Sequence, residues 1–409
     1  MYKYILLGIL VLNFIYGLVC AVLARSRKDK PLPENVRDVY DEAQYKRWRE
    51  YSAEKSKLSA IEGVFSFVVM IVLFATDIFS ITYNVMPGGE LVKCLLLMVA
   101  YSLVLTLVSI PFGYINTFGI EEKYGFNKST VKTFVTDEIK NFIIGTVVNC
   151  VLLVAAYLLC RNMTWTRYLI FVAIGCVFVI GVNMLATFVQ KIFNKFTSLP
   201  EGELRDALTE MFSAEGYQLE DIYVMDASRR TTKVNAYCGG IGKTKRIVLY
   251  DNLVNNYTPG EIAAVFAHEL AHFKNRDTAK LTVFSIFNVT VMITLISVFA
   301  LVPEISMEYG FDGANMAFAL IALMSAVMTP IMTLIGIPIN SMSRRFERRA
   351  DTFAVTKGYG EDMISALKKL SKDNLVDLNP HPFIVTMEHN HPTLSQRIDL
   401  VNEKLGSAK

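Results

Sequence analysis

The 409-residue chain carries only five histidines: His268, His272, His381, His389 and His391. The first two stand in His268-Glu269-Leu270-Ala271-His272. On a helix, positions i and i+4 lie one above the other. Two imidazoles so placed can grip one zinc ion, and the Glu between them lies beside the metal. There it can take a proton from a water that the zinc activates. A catalytic zinc needs a third protein ligand while one position stays open. The best candidate is Glu347, in Phe346-Glu347-Arg348-Arg349-Ala350-Asp351. Glu347 and Asp351 are again i and i+4, which suits a ligand carboxylate and a second carboxylate that orients a ligand histidine. The other three histidines fall between 381 and 391. Any of them could donate a hydrogen bond to the oxyanion of a tetrahedral intermediate, and spacing alone does not choose among them.

Local signals place these residues on elements. Thr258-Pro259-Gly260-Glu261 predicts a helix start, with a Thr cap, Pro at the first helical position and Glu three residues after the cap. That helix carries His268 and His272. The segment 201–216 predicts a helix, and Asp221–Met225, Val234–Cys238 and Arg246–Tyr250 predict strands. The last two are joined through Gly239-Gly240-Ile241-Gly242, so a hairpin is expected.

The rest of the chain is apolar. Hydrophobic residues make up 53% and charged residues 19%, against about 25% charged in soluble domains. This excludes a disordered chain, a collagen and a small disulfide scaffold, and it argues against a purely soluble enzyme. Seven stretches are long enough to span a bilayer, which takes about 20 residues each. They lie at about 4–24, 61–83, 94–114, 142–160, 168–189, 281–302 and 316–338. The first is too long for a signal-peptide core and is followed by the basic Arg25-Ser26-Arg27-Lys28, so it reads as a retained membrane helix. The segments 25–57, 115–140, 190–279 and 340–409 hold 36 of the 41 Lys and Arg, and Lys280 joins them. The positive-inside rule then puts the amino terminus outside and the carboxyl terminus in the cytosol. His272 precedes the sixth span by eight residues, and Glu347 follows the seventh by about nine. At 1.5 Å per residue both lie within roughly 15 Å of one cytosolic interface. A net charge of +3 gives no nucleic-acid footprint. The six cysteines contain no C-x-x-C pair and read as apolar residues.

Taken together, these blocks resemble the type I CAAX prenyl endopeptidases, integral-membrane zinc metalloproteases. The resemblance runs from about Tyr45 to Arg397. It is carried by Ile120-Glu121-Glu122-Lys123-Tyr124-Gly125-Phe126-Asn127, by Val234-Asn235-Ala236-Tyr237 with Lys245 to Asp251, by the H-E-x-x-H block, by Glu347 with Asp351, and by His391-Pro392-x-Leu394-x-x-Arg397. Ala271, Arg348 and Lys233 depart from residues common in the family.

The resemblance implies a mainly α integral membrane protein. Seven transmembrane helices would enclose a chamber, with a cytosolic α+β zinc-metalloprotease domain carrying a small antiparallel sheet. An N-terminal membrane domain, 1–189, would hold five spans and the cytosolic loops 25–57 and 115–140. The zinc metalloprotease domain, 190–409, would include the last two spans. His268, His272 and Glu347 would bind one zinc per chain, with Glu269 as base and then acid and Asp351 orienting a ligand. Asn235 and Ala236 would clamp an extended substrate. His391 and Arg397 would lie near the oxyanion or the substrate backbone. The activity implied is removal of the C-terminal tripeptide of prenylated proteins by zinc-activated water, on lipid-anchored peptide or protein substrates in a bilayer and without nucleic acid. The membrane would be the endoplasmic reticulum in a eukaryote and the plasma membrane in a prokaryote.

Two other readings stand beside it. One is a membrane quality-control metalloprotease acting on misfolded membrane proteins. The other is a zinc-containing transporter, for which Glu62 and Asp77 would be the intramembrane charges. His381 and His389 have no role at this level.

Overall fold

A computed structural model describes residues 1–27, 30–217, 221–239 and 246–407. Its helices fall into two groups. The membrane group begins with α1 (Tyr2–Ser26), α2 (Glu42–Ala75), the short α3 (Ile78–Val85), α4 (Glu90–Tyr114), α5 (Val131–Cys160) and α6 (Trp165–Phe193). After α7 (Glu203–Ala214), α8 (Asp251–Asn256) and α9 (Pro259–Lys274), the chain returns to apolar helices, long and short. These are α10 (Asp277–Leu301), α11 (Pro303–Met307), α12 (Met316–Ala322) and α13 (Met328–Thr356). It closes with α14 (Gly360–Asp373), α15 (Pro382–Met387) and α16 (Leu394–Ser407). Among the described residues seven helices are long and apolar enough to cross a membrane, as expected from the hydropathy pattern. Their outward faces carry exposed residues such as Leu12, Phe65, Leu107, Val147, Ile170 and Val283, which suits lipid.

Two boundaries differ from expectation. The stretch 61–83 is not one helix: α2 ends at Ala75, Thr76 is extended, and α3 begins after Asp77. Asp77 therefore sits at a helix junction, where its carboxylate accepts from Lys3 Nζ at 3.0 Å. A charged side chain at a span end reaches a partner that mid-span would deny it. Glu62, in contrast, stays within α2. The seventh span does not stop near 338. Met316–Thr356 runs as one helical stretch through a π-helical turn at Leu323–Val327, so Glu347 and Asp351 ride on the extension of a membrane helix. Asn13 of α1 donates to the Ala326 carbonyl at 2.9 Å, satisfying a group within that turn.

The small sheet has the order β1-β2-β4-β3, from β1 (Phe196–Ser198), β2 (Asp221–Met225), β3 (Ala236–Gly239) and β4 (Arg246–Tyr250). The expected antiparallel pairing of β3 with β4 is present, with Ala236 opposite Leu249. The connection from Gly240 to Lys245 lies outside the described residues, as does Lys28. The sheet as a whole is mixed rather than antiparallel, because β2 and β4 run parallel. The chain leaves β2, passes to the edge as β3 and folds back inward as β4, and two reversals restore the original direction. As a result β3 has one strand neighbour and one open edge.

Among the described residues two large apolar cores hold the molecule, beside a small cluster of Met225, Ala227 and Val248 on the sheet. One packs the sheet, α7, α9, α14 and α16 against Trp48 and Tyr51 of α2 and Tyr124 and Phe126 of the loop after α4. The other joins α1, α4, α5, α10 and α12 around Phe74, Tyr309 and Phe318. The Tyr309 and Phe318 ring centroids are 4.4 Å apart.

Candidate metal centre and active site

Helix α9 begins as its sequence predicts. Thr258 and Glu261 form a reciprocal capping box, with Thr258 N donating to Glu261 Oε2 at 2.9 Å and Glu261 N to Thr258 Oγ1 at 3.2 Å. Gly260 is needed here for a second reason: a Cβ would run into the Asp362 carboxylate at the start of α14. From this anchored start nearly every residue of α9 is buried, so the helix is a fixed rail for His268, Glu269 and His272.

The structure brings His268, His272 and Glu347 together. His268 Nε2 and His272 Nε2 are 3.2 Å apart. Glu347 Oε2 is 3.4 Å from His268 Nε2, and its Oε1 is 3.2 Å from His272 Nε2. All the candidate donor atoms lie within 4.8 Å of one another. Ligands about 2.0–2.2 Å from a tetrahedral zinc lie about 3.3 Å apart, so spacing and donor types both fit that ion. The outer nitrogens agree. Each histidine has its Nδ1 engaged by a carboxylate, which turns Nε2 inward: Asp351 Oδ1 for His268 at 2.9 Å and Asp277 Oδ2 for His272 at 3.0 Å. Glu347 is buried, and around its Oε2 stand only the nitrogens of His268, His391 and Arg397, at 3.4, 2.7 and 3.9 Å.

Electrostatics point the same way. Burial works against a charged His272, but Asp277 and Glu347 outweigh it and hold its pKa up to about 10. For His268 burial is again opposed by Asp351 and Glu347, and the net shift is upward. Surroundings that favour an imidazolium this strongly favour a cation in general. Glu269 is not part of the donor group. It lines the adjoining cavity, and burial pushes its carboxyl above the usual carboxylate range. That is the direction a general base poised for neutral pH requires.

The cavity, of about 440 Å³, is bounded by α9, by Glu347 and Phe346 of α13, by Asn235, Ala236 and Tyr237 at the open edge of β3, and by His391. Val265, Met363 and Leu367 give it an apolar arm. Asn235 Oδ1 accepts from Ala236 N at 2.9 Å, and the Asn235 carbonyl accepts from Tyr250 N at 3.1 Å. These bonds set the start of β3.

The expected residues beyond α13 have distinct placements. His391 is exposed on the loop before α16, with Nδ1 2.7 Å from Glu347 Oε2. Its loop is held by Arg344, which donates to the carbonyls of Val385 at 3.0 Å and His389 at 2.6 Å. Thus His389 contributes a backbone oxygen. His381 caps α15, its Nδ1 accepting from Phe383 N at 3.2 Å. Arg397 lines the same cavity and is also paired within the protein. Its Nε and Nη2 donate to Asp351 at 2.9 and 2.6 Å, and Nη2 lies 3.4 Å from His268 Nδ1. A bidentate pair of this kind leaves most of the guanidinium committed.

Asp277 and Arg349 are the residues that sequence reasoning missed. Arg276 adopts a left-handed conformation (φ 54°) between α9 and α10, and the reversal swings Asp277 back onto His272. Arg349 Nη2 then donates to Asp277 Oδ1 at 2.5 Å. A spacing of five across a helix break has no periodicity to reveal it. The only signal was an acidic residue just past the H-E-x-x-H helix.

Comparison with known proteins places both halves of the chain in described families. Residues 22–195 match the family described as the CAAX prenyl protease N-terminal region of five membrane helices, and residues 198–404 match peptidase family M48. The chain is similar to the CAAX prenyl protease 1 of Saccharomyces cerevisiae, at 29% identity covering 91% of this chain and 89% of that one. It is 30% identical to the CAAX prenyl protease 1 homolog of Mus musculus, over 90% of this chain and 88% of that one. The crystal structure of S. mikatae Ste24p superposes with a TM-score of 0.88 at 25% identity, covering 98% and 99% of the two chains.

Proposed function

The chain belongs to peptidase family M48, and on that footing we propose that it is a zinc metalloendopeptidase removing the C-terminal tripeptide of prenylated proteins. The observation that carries this reading is a single cavity that joins the His268–His272–Glu347 donor group, the Glu269 carboxyl and the open edge of β3. An extended peptide laid along β3 would present its scissile carbonyl to the donor group, with Asn235 and Ala236 clamping its backbone.

Bound there, zinc would polarise the scissile carbonyl and acidify the attacking water. Glu269 takes the proton of that water on a carboxylate oxygen as the water oxygen adds to the carbonyl carbon. It hands the proton to the leaving amine as the C–N bond breaks. His391 is exposed at the cavity mouth and donates from its ring to the developing oxyanion. Arg397 acts at one remove, holding Asp351 and through it His268.

We assign the domains as 1–189 for the membrane region and 190–409 for the metalloprotease region, a division supported by the family boundaries between 195 and 198. The metal centre and carboxyl terminus are assigned to the cytosol and the amino terminus to the opposite side, supported by the basic residues, 37 of 41 on one side.

The test is cleavage of matched prenylated and unprenylated C-a-a-X peptides by purified protein, with products identified by mass spectrometry and with a chelator arm. Release of a tripeptide from the prenylated peptide, abolished by chelation, is expected. Equal cleavage at scattered internal sites would favour a quality-control protease. Glu269→Gln should remove cleavage while zinc remains bound, and near-native turnover in that variant would overturn the assignment of the base.

A further inference from the structure

We infer that the membrane-helix half of the chain positions the substrate strand, through Glu121 and Lys233. The inference rests on the proposed role of β3 as the strand that receives substrate. That strand is only four residues long and is bonded on one side, by β4. Its lead-in, residues 230–234, is held from one side by Asn252, which donates to the Thr231 and Lys233 carbonyls, and by Asn374, which bonds Val234, and from the other by the loop that follows the third span. Lys128 N donates to the Arg230 carbonyl at 3.0 Å and Thr232 N to the Phe126 carbonyl at 3.1 Å. Asn127 and Thr231 form an isolated antiparallel bridge between these two bonds.

Glu121 organises both sides of this junction. It ends the π-helical turn Ile115–Glu121, a kind of turn that recurs at functional sites. Its carbonyl accepts from Phe126 N at 2.7 Å and Asn127 N at 3.1 Å, which folds the loop back on itself. Gly125 permits that fold with φ at +74°. The Glu121 carboxylate accepts from the Tyr51 hydroxyl at 2.7 Å, from Lys55 at 3.1 Å and from Lys233 at 3.1 Å. Lys233 also donates to the Tyr51 oxygen at 3.1 Å, and its ammonium lies 4.8 Å from the Phe126 ring centroid. One carboxylate therefore joins α2, the third span and the root of β3 through charge-assisted bonds.

Position is what this junction controls. Asn235 and Ala236, on the cavity wall, come two and three residues after Lys233. So short a strand, with one strand neighbour, takes its position from the contacts at its root, of which the Lys233 side chain supplies the charged ones. A shift there is carried directly into the register of a bound peptide, while the zinc ligands on α9 and α13 stay where they are.

The test uses the full-length protein in detergent, with Lys233→Met, Glu121→Gln and the conservative Lys233→Arg. Steady-state cleavage of a farnesylated C-a-a-X peptide, zinc content and hydrogen exchange of 234–239 against 221–225 are measured. Lys233→Met and Glu121→Gln should raise KM by about tenfold with kcat within about twofold. Zinc should stay at the wild-type level, exchange should quicken in 234–239 but not in 221–225, and Lys233→Arg should keep wild-type behaviour. Unchanged KM and exchange, a fall in kcat at constant KM, or equal quickening of both strands would each overturn the inference. Should Glu121→Gln fail to fold, Lys233→Met carries the test at a part-exposed side chain. If the wild type cleaves no peptide, the protease reading fails, while exchange still decides whether Glu121 and Lys233 hold β3.

Discussion

His268 and His272 stand four residues apart and face the same carboxylate, yet they are held in opposite ways. His268 is gripped from far along the chain. Asp351 of α13 is fully buried, and Arg397 of α16, itself 14% exposed, closes on it with two hydrogen bonds. His272 is gripped locally, by Asp277 five residues on, and the Arg349 that backs Asp277 is 40% exposed. The difference separates two functions of an orienting carboxylate. Asp351 ties three helices together as it aims a ring, so its loss would leave the largely covered Arg397 guanidinium with only the Glu347 carboxylate, 3.9 Å away. Asp277 closes one helix break, and its cation is already partly screened by water.

The comparison can be broken in order of effect. Glu347 is the partner both arms share. Glu347→Ala should reduce zinc from one per chain to near none and abolish cleavage; full zinc occupancy would mean that the arms do not converge on the metal. Asp351→Asn comes next. Its zinc affinity, by chelator competition, should fall by about a hundredfold. The protein should also lose on the order of 2 kcal/mol of stability, since a charge-assisted pair with Arg397 is reduced to a neutral hydrogen bond. Asp277→Asn should lower zinc affinity by only about tenfold and shift the melting temperature less. A larger effect from Asp277→Asn than from Asp351→Asn would reverse the ranking of the two arms.

The smallest effect is expected at the other end of α9, where no metal intervenes. Burial raises the Glu261 carboxyl, but the Ser365 hydroxyl, the Thr258 N–H and Lys369 outweigh it, and the net shift is downward. A carboxyl with a depressed folded pKa contributes stability that is complete above its unfolded value, about 4.3, and is lost as pH falls through the folded value. Glu261→Gln should therefore flatten the acid limb of the stability profile below about pH 4 and leave zinc affinity at neutral pH unchanged. Weakened zinc binding in that variant would show that the start of α9 and the two histidine arms are not independent.

The same division describes how much could be read beforehand. The arm through Asp351 was half legible, because Glu347 and Asp351 share a helix face at i and i+4. Its other half, Arg397, is brought in by the fold of α16, and its pairing with Asp351 has no trace in residue spacing. The arm through Asp277 was invisible, because it depends on the left-handed Arg276. His381 and His389 acquired roles only as a helix cap and a backbone acceptor.

By itself the sequence determined what is local: the periodicity of seven apolar spans, the capping box that starts α9, the H-E-x-x-H face, the Glu347–Asp351 pair and the hairpin of β3 with β4. Each depends on residues close together in the chain, where backbone geometry admits few alternatives. Tertiary structure alone decided the closures: Arg397 on Asp351 across 46 residues, Asp277 turned back onto His272, the parallel pairing of β2 with β4, and Glu121 reaching Lys233 from another part of the chain. Those partners are chosen by which surfaces bury together and which charges are left to be neutralised there, and residue spacing carries no record of that choice.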